Sequence, residues 1–386
     1  MTDRVRVLYL LHSGALDGGA QVQYLYPIDG LDRSRFDPLV VAPTAGDLID
    51  RLTHAGVRTW VSPYPVGTRA ALLRWRHRFW RERRRARARL VAFARTLAPH
   101  LVHGDATVAP YVTAIAAALG IPSVVHVREA IGGSWPGRRA VTQATRLITI
   151  GDRYRDALLA SGIPAEHITV IDDATDVERF RPRDKAILRE EDRSIDTDDV
   201  LFGIVGRIEP FKRQFDFVRA ASRMTSSSDT HARRARFFII GAPNPRRPWR
   251  LPALRAFVRA HGLDRSVTIT GPRGDMEQAI ASLDVLVTLS GGSVMLEAMA
   301  CGVPVITATD RRPDELRMVR DGECGRVVPA HDIDGLAAVM AELRDDDTQR
   351  RRLGAAGRQR AGALFACSRM IDATMRVYDQ LLNAPL

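Results

Sequence analysis

The chain is predicted to fold as two doubly wound α/β units in tandem, and three observations carry that prediction. Short β-branched and apolar runs alternate with helix-patterned stretches through both halves, which is how parallel strands joined by crossover helices read. A length of 386 residues is long for one core and comfortable for two. Midway, a proline-containing stretch at Arg181-Pro182-Arg183-Asp184 and an acidic polar segment from Glu190 to Asp199 interrupt the alternation, so the expected domains are residues 1–181 and 182–367.

Taken in order, the candidate strands of the first half are Val5–Leu11, Leu39–Ala42, Thr59–Val61, Leu101–His103, Ser123–Val127, Leu147–Ile150 and Ile168–Ile171. Those of the second half are Leu201–Val205, Phe237–Ile240, Val267–Thr270, Val285–Thr288, Val305–Thr307 and Gly325–Val328. Thr225–Arg236 and Asn244–Pro252 read as loops. The two units are expected to face each other across a cleft. Ligands of such sheets bind beyond the carboxyl ends of the strands, so the loops after the strands are the places to search.

Hydrophobic residues make up 45% and charged residues 26%, an ordinary soluble composition. No run of about 18 apolar residues suggests a membrane span. The apolar opening Val5–Leu11 is broken by Arg6 and runs into a Gly-rich loop, so it reads as a buried strand and not a signal peptide. Cys301, Cys324 and Cys367 lack metal-ligand spacing, and so sparse a set fits free thiols in a reducing cytoplasm. The net charge of +12 is carried by arginine far more than lysine. It reads either as an arginine-rich composition or as a preference for anionic partners.

Two segments carry chemistry. In Phe202-Gly203-Ile204-Val205-Gly206-Arg207-Ile208-Glu209-Pro210-Phe211-Lys212 a buried strand runs into a Gly-Arg turn, with a lysine at the start of the next helix. Gly206 lets backbone approach a ligand closely. Arg207 and Lys212 place two cations beside a helix N-terminus, which suits a diphosphate. On spacing alone, a surface turn with two solvated cations fits equally well. In the second segment, the strand ending at Leu289 opens into Ser290-Gly291-Gly292-Ser293 and a helix from Val294. Free amides at Gly291, Gly292, Ser293 and Val294 suit phosphate or sugar oxygens. Glu297 either accepts hydrogen bonds from ribose hydroxyls or merely complements the helix dipole.

Together these segments resemble the GT-B-fold retaining glycosyltransferases of family four. Gly206-Arg207 with Lys212 is similar to that family's diphosphate clamp. Gly271-Pro272-Arg273-Gly274-Asp275 is similar to the turn whose backbone reads the nucleobase, which puts Pro272 and Arg273 on the donor side. Glu297 matches the second glutamate of its E-x7-E motif, which binds ribose. Asp17-Gly18-Gly19-Ala20 resembles its Gly-Gly-Ala loop over the diphosphate, with Gln21 where glutamate is usual. His126, in Val124-Val125-His126-Val127-Arg128-Glu129, resembles the histidine facing the transferred sugar, with Arg128 and Glu129 toward the acceptor. By itself, His126 reads as a satisfied histidine at a strand end. Asp172-Asp173-Ala174-Thr175-Asp176 resembles a degraded structural turn, and Glu315 and Gly322 a structural lead-in to a strand. The resemblance also implies that the C-terminal helix, residues 368–386, packs back onto the first domain.

Two positions depart from the family pattern. Leu289 stands where the first glutamate of E-x7-E belongs, and Gly151 replaces a common serine. The resemblance implies retaining, metal-independent transfer from a nucleotide-diphosphate sugar, with no resident cofactor. His126, Arg207 and Lys212 are then the catalytic set, and the acceptor is a cell-envelope glycan or lipid, or a secondary metabolite. A nucleotide-sugar 2-epimerase on the same fold and a non-catalytic nucleotide-binding relative are the alternatives.

Ten arginines lie between Arg69 and Arg89, opposed only by Glu82, with Leu72, Trp75 and Phe79 on one helical face. This suits either an amphipathic helix at an anionic membrane or a helix packed on the N-terminal sheet with a solvated arginine face. No recognition motif accompanies the charge, so nucleic acid is not the expected partner.

Overall fold

A computed structural model describes residues 4–16, 18–66, 76–128, 138–226, 235–310 and 317–383. The chain divides into two compact units, Met1–Asp173 with Cys367–Leu386, and Ala174–Ala366. The division falls before the junction expected at Arg181-Pro182. Asp173, the last residue of the first unit, is buried and ion-paired to Arg128, a tertiary tie that local composition does not reveal.

The first unit is a seven-stranded sheet of β1 (Val5–Leu10), β2 (Phe36–Ala42), β3 (Arg58–Val61), β4 (Leu101–Asp105), β5 (Ser123–Val127), β6 (Arg146–Thr149) and β7 (Ile168–Val170). All are parallel, in the order β3-β2-β1-β4-β5-β6-β7. A sheet covered on both faces needs strands that are apolar on both faces, which is why its strands read as continuous runs. On one face, Leu8, Leu10, Val102 and Val125 pack against Leu90, Tyr111, Val112 and Ile115. Over the rest of the unit, helix Gly19–Gly30 packs against the terminal helix Cys367–Asn383. A buried polar pin fixes that terminal helix: the Tyr378 hydroxyl lies 2.8 Å from the Tyr9 hydroxyl and 2.6 Å from His103 Nδ1.

The second unit is a six-stranded parallel sheet of β8 (Val200–Val205), β9 (Ala235–Ile240), β10 (Val267–Gly271), β11 (Val285–Thr288), β12 (Val305–Thr309) and β13 (Arg326–Pro329), in the order β10-β9-β8-β11-β12-β13. Each sheet face has its own apolar layer. Phe202, Ile204, Phe217, Phe237 and Ile239 build one, and Leu201, Leu286, Leu296, Met299 and Val305 the other. In both sheets the chain order reverses once, between β1 and β4 and between β8 and β11. The loops after those strands therefore diverge and leave room for a ligand.

Three local expectations are revised. Lys212 closes a 3-10 turn, Pro210–Lys212, and the helix proper begins at Gln214. The loop after β9 ends at Trp249, because Pro252 is tolerated in the first turn of helix Arg250–Ala260. Of the basic segment, residues 67–75, with Leu72 and Trp75, lie outside the described residues. The rest is helix Arg76–Leu97, whose inner face is Ala86, Leu90 and Ala94, with Phe79 half-buried and Trp80 46% exposed. Among the described residues no helix is long and apolar enough to cross a membrane.

Candidate active site

In the second unit the switch point between β8 and β11 gathers most of the sequence-selected residues. β8 is followed by Gly206, whose φ of 139° favours glycine. A Cβ there would stand 3.0 Å from Lys212 Cε, so the lysine stem folds back across the turn. Arg213, with φ 59°, closes that turn and donates to Asp216 at 2.8 Å. The Gln214 side chain donates to the Arg207 carbonyl at 2.9 Å and holds the loop against the helix.

The loop after β11 meets the lysine from the other side. Gly291 and Gly292 have φ of 65° and 107°, and a Cβ on Gly292 would lie 3.9 Å from Lys212 Nζ. Glu297, half-buried in helix Val294–Ala300, is pushed up to about 7 by burial, against the pull of Arg179 and Lys212. Burial lowers the Lys212 ammonium, against the opposite effect of Glu297 and Glu209. Arg207 Nε is 3.9 Å from Glu209 Oε1, and its side chain is 36% exposed. The result is a patch of two cations and two carboxylates around glycine backbone. Leu289 is 6% exposed within the apolar layer of Phe202 and Ile204. A carboxylate in its place would face that layer, so the exposed part of this loop is Ser290–Ser293.

Pro272 and Arg273 lie beyond the carboxyl end of β10, with β9 between them and the switch point. Arg273 donates to Glu191 at 2.6 and 2.7 Å and to Asp275 at 2.7 and 2.9 Å. These bonds raise its guanidinium further above its ordinary value. Its charge is thus spent within the protein, and what this turn offers a ligand is backbone.

In the first unit, Gly18 caps helix Gly19–Gly30, while Asp17 and Glu129 lie outside the described residues. His126 is the penultimate residue of β5 and is 6% exposed, edge-on to Tyr24 at 5.7 Å and stacked on His103 at 6.2 Å. Burial, then Arg128 and His103, depress it well below the ordinary histidine value, so it is neutral. Its Nε2 has no hydrogen-bond partner among the described residues. Arg128 pairs with Asp173 at 2.7 Å.

Sequence reasoning missed one pair. His12 follows β1 and Asp105 ends β4, and across the switch point of this sheet His12 Nδ1 bonds the Asp105 carboxylate. Burial pushes that carboxyl up, but hydrogen bonds from His12 and Thr107 outweigh it and hold it below its ordinary value. Gln21 Nε2 lies 3.0 Å from His12 Nε2. The available signal was positional: both residues stand where neighbouring strands diverge.

Family comparison covers both units. Residues 18–173 match the model described as glycosyl transferase 4-like domain, and residues 199–346 match the one described as glycosyl transferases group 1. A D-inositol 3-phosphate glycosyltransferase of Stackebrandtia nassauensis is 31% identical over 230 residues, covering 56% of this chain and 50% of that one. Its counterpart in Thermomonospora curvata is 28% identical over 256 residues, covering 63% and 58%. The match thus spans little more than half the length of these relatives. Among solved structures, Anabaena HepE in complex with UDP-glucose is similar with a TM-score of 0.81 at 19% identity, covering 98% of this chain and 100% of that one. Sucrose-phosphate synthase of Thermosynechococcus elongatus is similar with a TM-score of 0.78 at 19% identity, covering 99% and 100%. With both units matched, and with two parallel Rossmann-like sheets of the GT-B type, the chain belongs to the group 1 glycosyltransferases.

Proposed function

We propose that the protein transfers a sugar, with retention at the anomeric carbon, from a nucleotide-diphosphate sugar to a hydroxyl-bearing acceptor. The convergence of Lys212 Nζ on the Gly291–Gly292 loop beside Glu297 is the observation that carries this reading. The difficult event is departure of the diphosphate. In this reading Arg207 and Lys212, with the amides of Gly292, Ser293 and Val294, stabilise the charge that grows on it. Glu297 takes the ribose hydroxyls, and the Gly271–Gly274 backbone takes the base. His126, neutral and buried, is the histidine that the resemblance assigns to the transferred sugar. In this reading the cations do the work often given to a metal, so chelators leave turnover intact. The solved relative with UDP-glucose makes UDP-sugars the first donors to test, and the D-inositol 3-phosphate enzymes make a phosphorylated polyol the first acceptor. The arginine face of helix Arg76–Leu97 suits contact with an anionic membrane surface, which would serve a lipid-linked acceptor.

The test is a panel of UDP-glucose, UDP-N-acetylglucosamine and GDP-mannose with D-inositol 3-phosphate, read by nucleotide release and by NMR of the anomeric proton. The expected result is release with one donor and a product of retained configuration. Failure of every donor to bind or turn over refutes the assignment, and an inverted product refutes its stereochemistry.

A further inference from the structure

The helical face of the first unit carries a groove. It runs between helix Arg76–Leu97, helix Ala109–Leu119 and the short helix Arg138–Thr142, with a volume of about 850 Å³, within the range of ligand sites. We propose, on the reading that helix Arg76–Leu97 meets an anionic membrane, that this groove binds one anionic phospholipid, with its phosphate on the arginines of the rim and part of an acyl chain along the floor.

The sequence makes the floor apolar and leaves it open. Helix Ala109–Leu119 spends its large residues inward, where Tyr111, Val112 and Ile115 are buried against the sheet. Its outward positions Ala114, Ala117 and Ala118 are too small to fill the space between the neighbouring helices. Val91, Pro110 and Ala140 extend the same floor.

The rim is basic. Arg83, Arg84 and Arg87 come from helix Arg76–Leu97 and Arg139 from the short helix, and none of the four has a carboxylate partner among the described residues. The three helices carry a single acid, Glu82, and it is paired with Arg78 at 3.1 Å. Burial lowers the Arg83 guanidinium from its ordinary value; Tyr111 opposes this and Arg87 adds to it. Cations crowded in this way lack a counter-ion, and a phosphate supplies one. Trp80, 46% exposed with Arg83 at 5.0 Å over its ring, is the kind of side chain that settles at a membrane interface. A small soluble phosphate would leave the floor wet, and alanines give nucleic-acid bases nothing to stack on. An amphiphile satisfies floor and rim together.

The experiment uses the full chain. Sedimentation with vesicles of phosphatidylcholine, alone and mixed equally with phosphatidylglycerol, reads membrane contact. Calorimetry with dihexanoyl phosphatidylglycerol below its micellar concentration, against glycerol 3-phosphate, reads the groove. Wild type is expected to bind the mixed vesicles only, and to prefer the short-chain lipid to glycerol 3-phosphate by about tenfold or more. Ala118→Phe puts a ring on the floor from an exposed helix position and keeps every charge. It should weaken binding of the short-chain lipid by about tenfold, with the wild-type melting temperature as the check on folding. Arg139→Ala, at an exposed position, tests the rim without touching the core and should weaken the same binding by about fivefold. Arg95→Ala, on the basic helix but outside the groove, should leave it unchanged. Vesicle binding by wild type without binding of the short-chain lipid, or with no loss in Ala118→Phe and Arg139→Ala, overturns the groove and leaves the membrane reading standing. No preference for the mixed vesicles overturns both. Glycerol 3-phosphate binding as tightly as the lipid, or an acidic helical peptide or an oligonucleotide displacing it at lower concentration, gives the groove another occupant and overturns the proposal.

Discussion

Replacing Glu297 with glutamine tests the electrostatics of the proposed nucleotide site without any substrate. Burial moves this carboxyl from its ordinary 4.5 up to about 7. The folded protein therefore binds the proton more tightly than the unfolded chain does. Stability from this group is fully present below about pH 4.5 and is lost as pH rises through about 7. The displacement corresponds to at most about 3 kcal/mol, and partial exposure of the side chain reduces that to roughly 1–2 kcal/mol. Glutamine has no charge to desolvate, so Glu297→Gln escapes the loss. Relative to wild type it should gain stability between pH 4.5 and 8, by about 2–8 °C in Tm for a domain of this size. Scanning calorimetry of both proteins at the two pH values, without nucleotide, reads the difference directly. A Tm difference that is independent of pH, or that turns against the variant at pH 8, refutes the claim that Glu297 is strained by burial.

Other substitutions probe separate parts of the structure. Lys212→Ala removes the cation poised over Gly292 and should weaken UDP binding by roughly 10–100-fold in calorimetry; unchanged affinity disproves the clamp. Gly206→Ala forces a side chain into φ 139° and against the Lys212 stem. It should cost about 1–3 kcal/mol in denaturant unfolding and weaken UDP binding, and a variant of wild-type stability contradicts the strained turn. Tyr378→Phe leaves the buried His103 Nδ1 and Tyr9 hydroxyl without their shared partner. It should destabilise by about 1–3 kcal/mol and expose the terminal helix to proteolysis.

The thirteen strands of the described residues were legible because parallel sheets covered on both faces demand unbroken apolar runs, and Val7–Leu10, Leu39–Ala42 and Val285–Val287 are such runs. The turn that brings Lys212 across Gly206 was legible because it is local: both residues sit in one short segment, and the lysine stem crosses the glycine. What escaped was whatever depends on residues distant in the chain. His12 and Asp105 are 93 positions apart, and only the sheet order brings them together. Resemblance put Arg273 in a turn on the donor side, but nothing local shows that its side chain is held by Glu191, 82 positions away. The unit boundary escaped for the same reason, since Asp173 belongs with Arg128 and not with the sequence around it. His126 was placed correctly at a strand end, but its burial beneath Tyr24 depends on a helix from elsewhere in the chain.

The charges at the second switch point imply a linkage that the individual residues do not. Arg207 and Lys212 are matched by Glu209 and Glu297, so the local sum is near zero before ligand arrives. A diphosphate brings about two negative charges and engages Lys212, one of the cations that holds Glu297 down at about 7. Both effects disfavour the Glu297 carboxylate, and its pKa must rise on binding. Ribose hydroxyls donating to the ionised form oppose this, but hydrogen bonds from two uncharged donors offset only part of the loss of an ammonium partner in a half-buried site. UDP binding should therefore take up a fraction of a proton between about pH 7 and 8, and affinity should fall as pH rises through that range. Calorimetric titrations in buffers of different ionisation enthalpy measure the uptake. It should vanish in Glu297→Gln and shrink in Lys212→Ala, where the carboxyl is already protonated before ligand arrives. Equal uptake in wild type and Glu297→Gln would place the titrating group elsewhere and remove Glu297 from the nucleotide site.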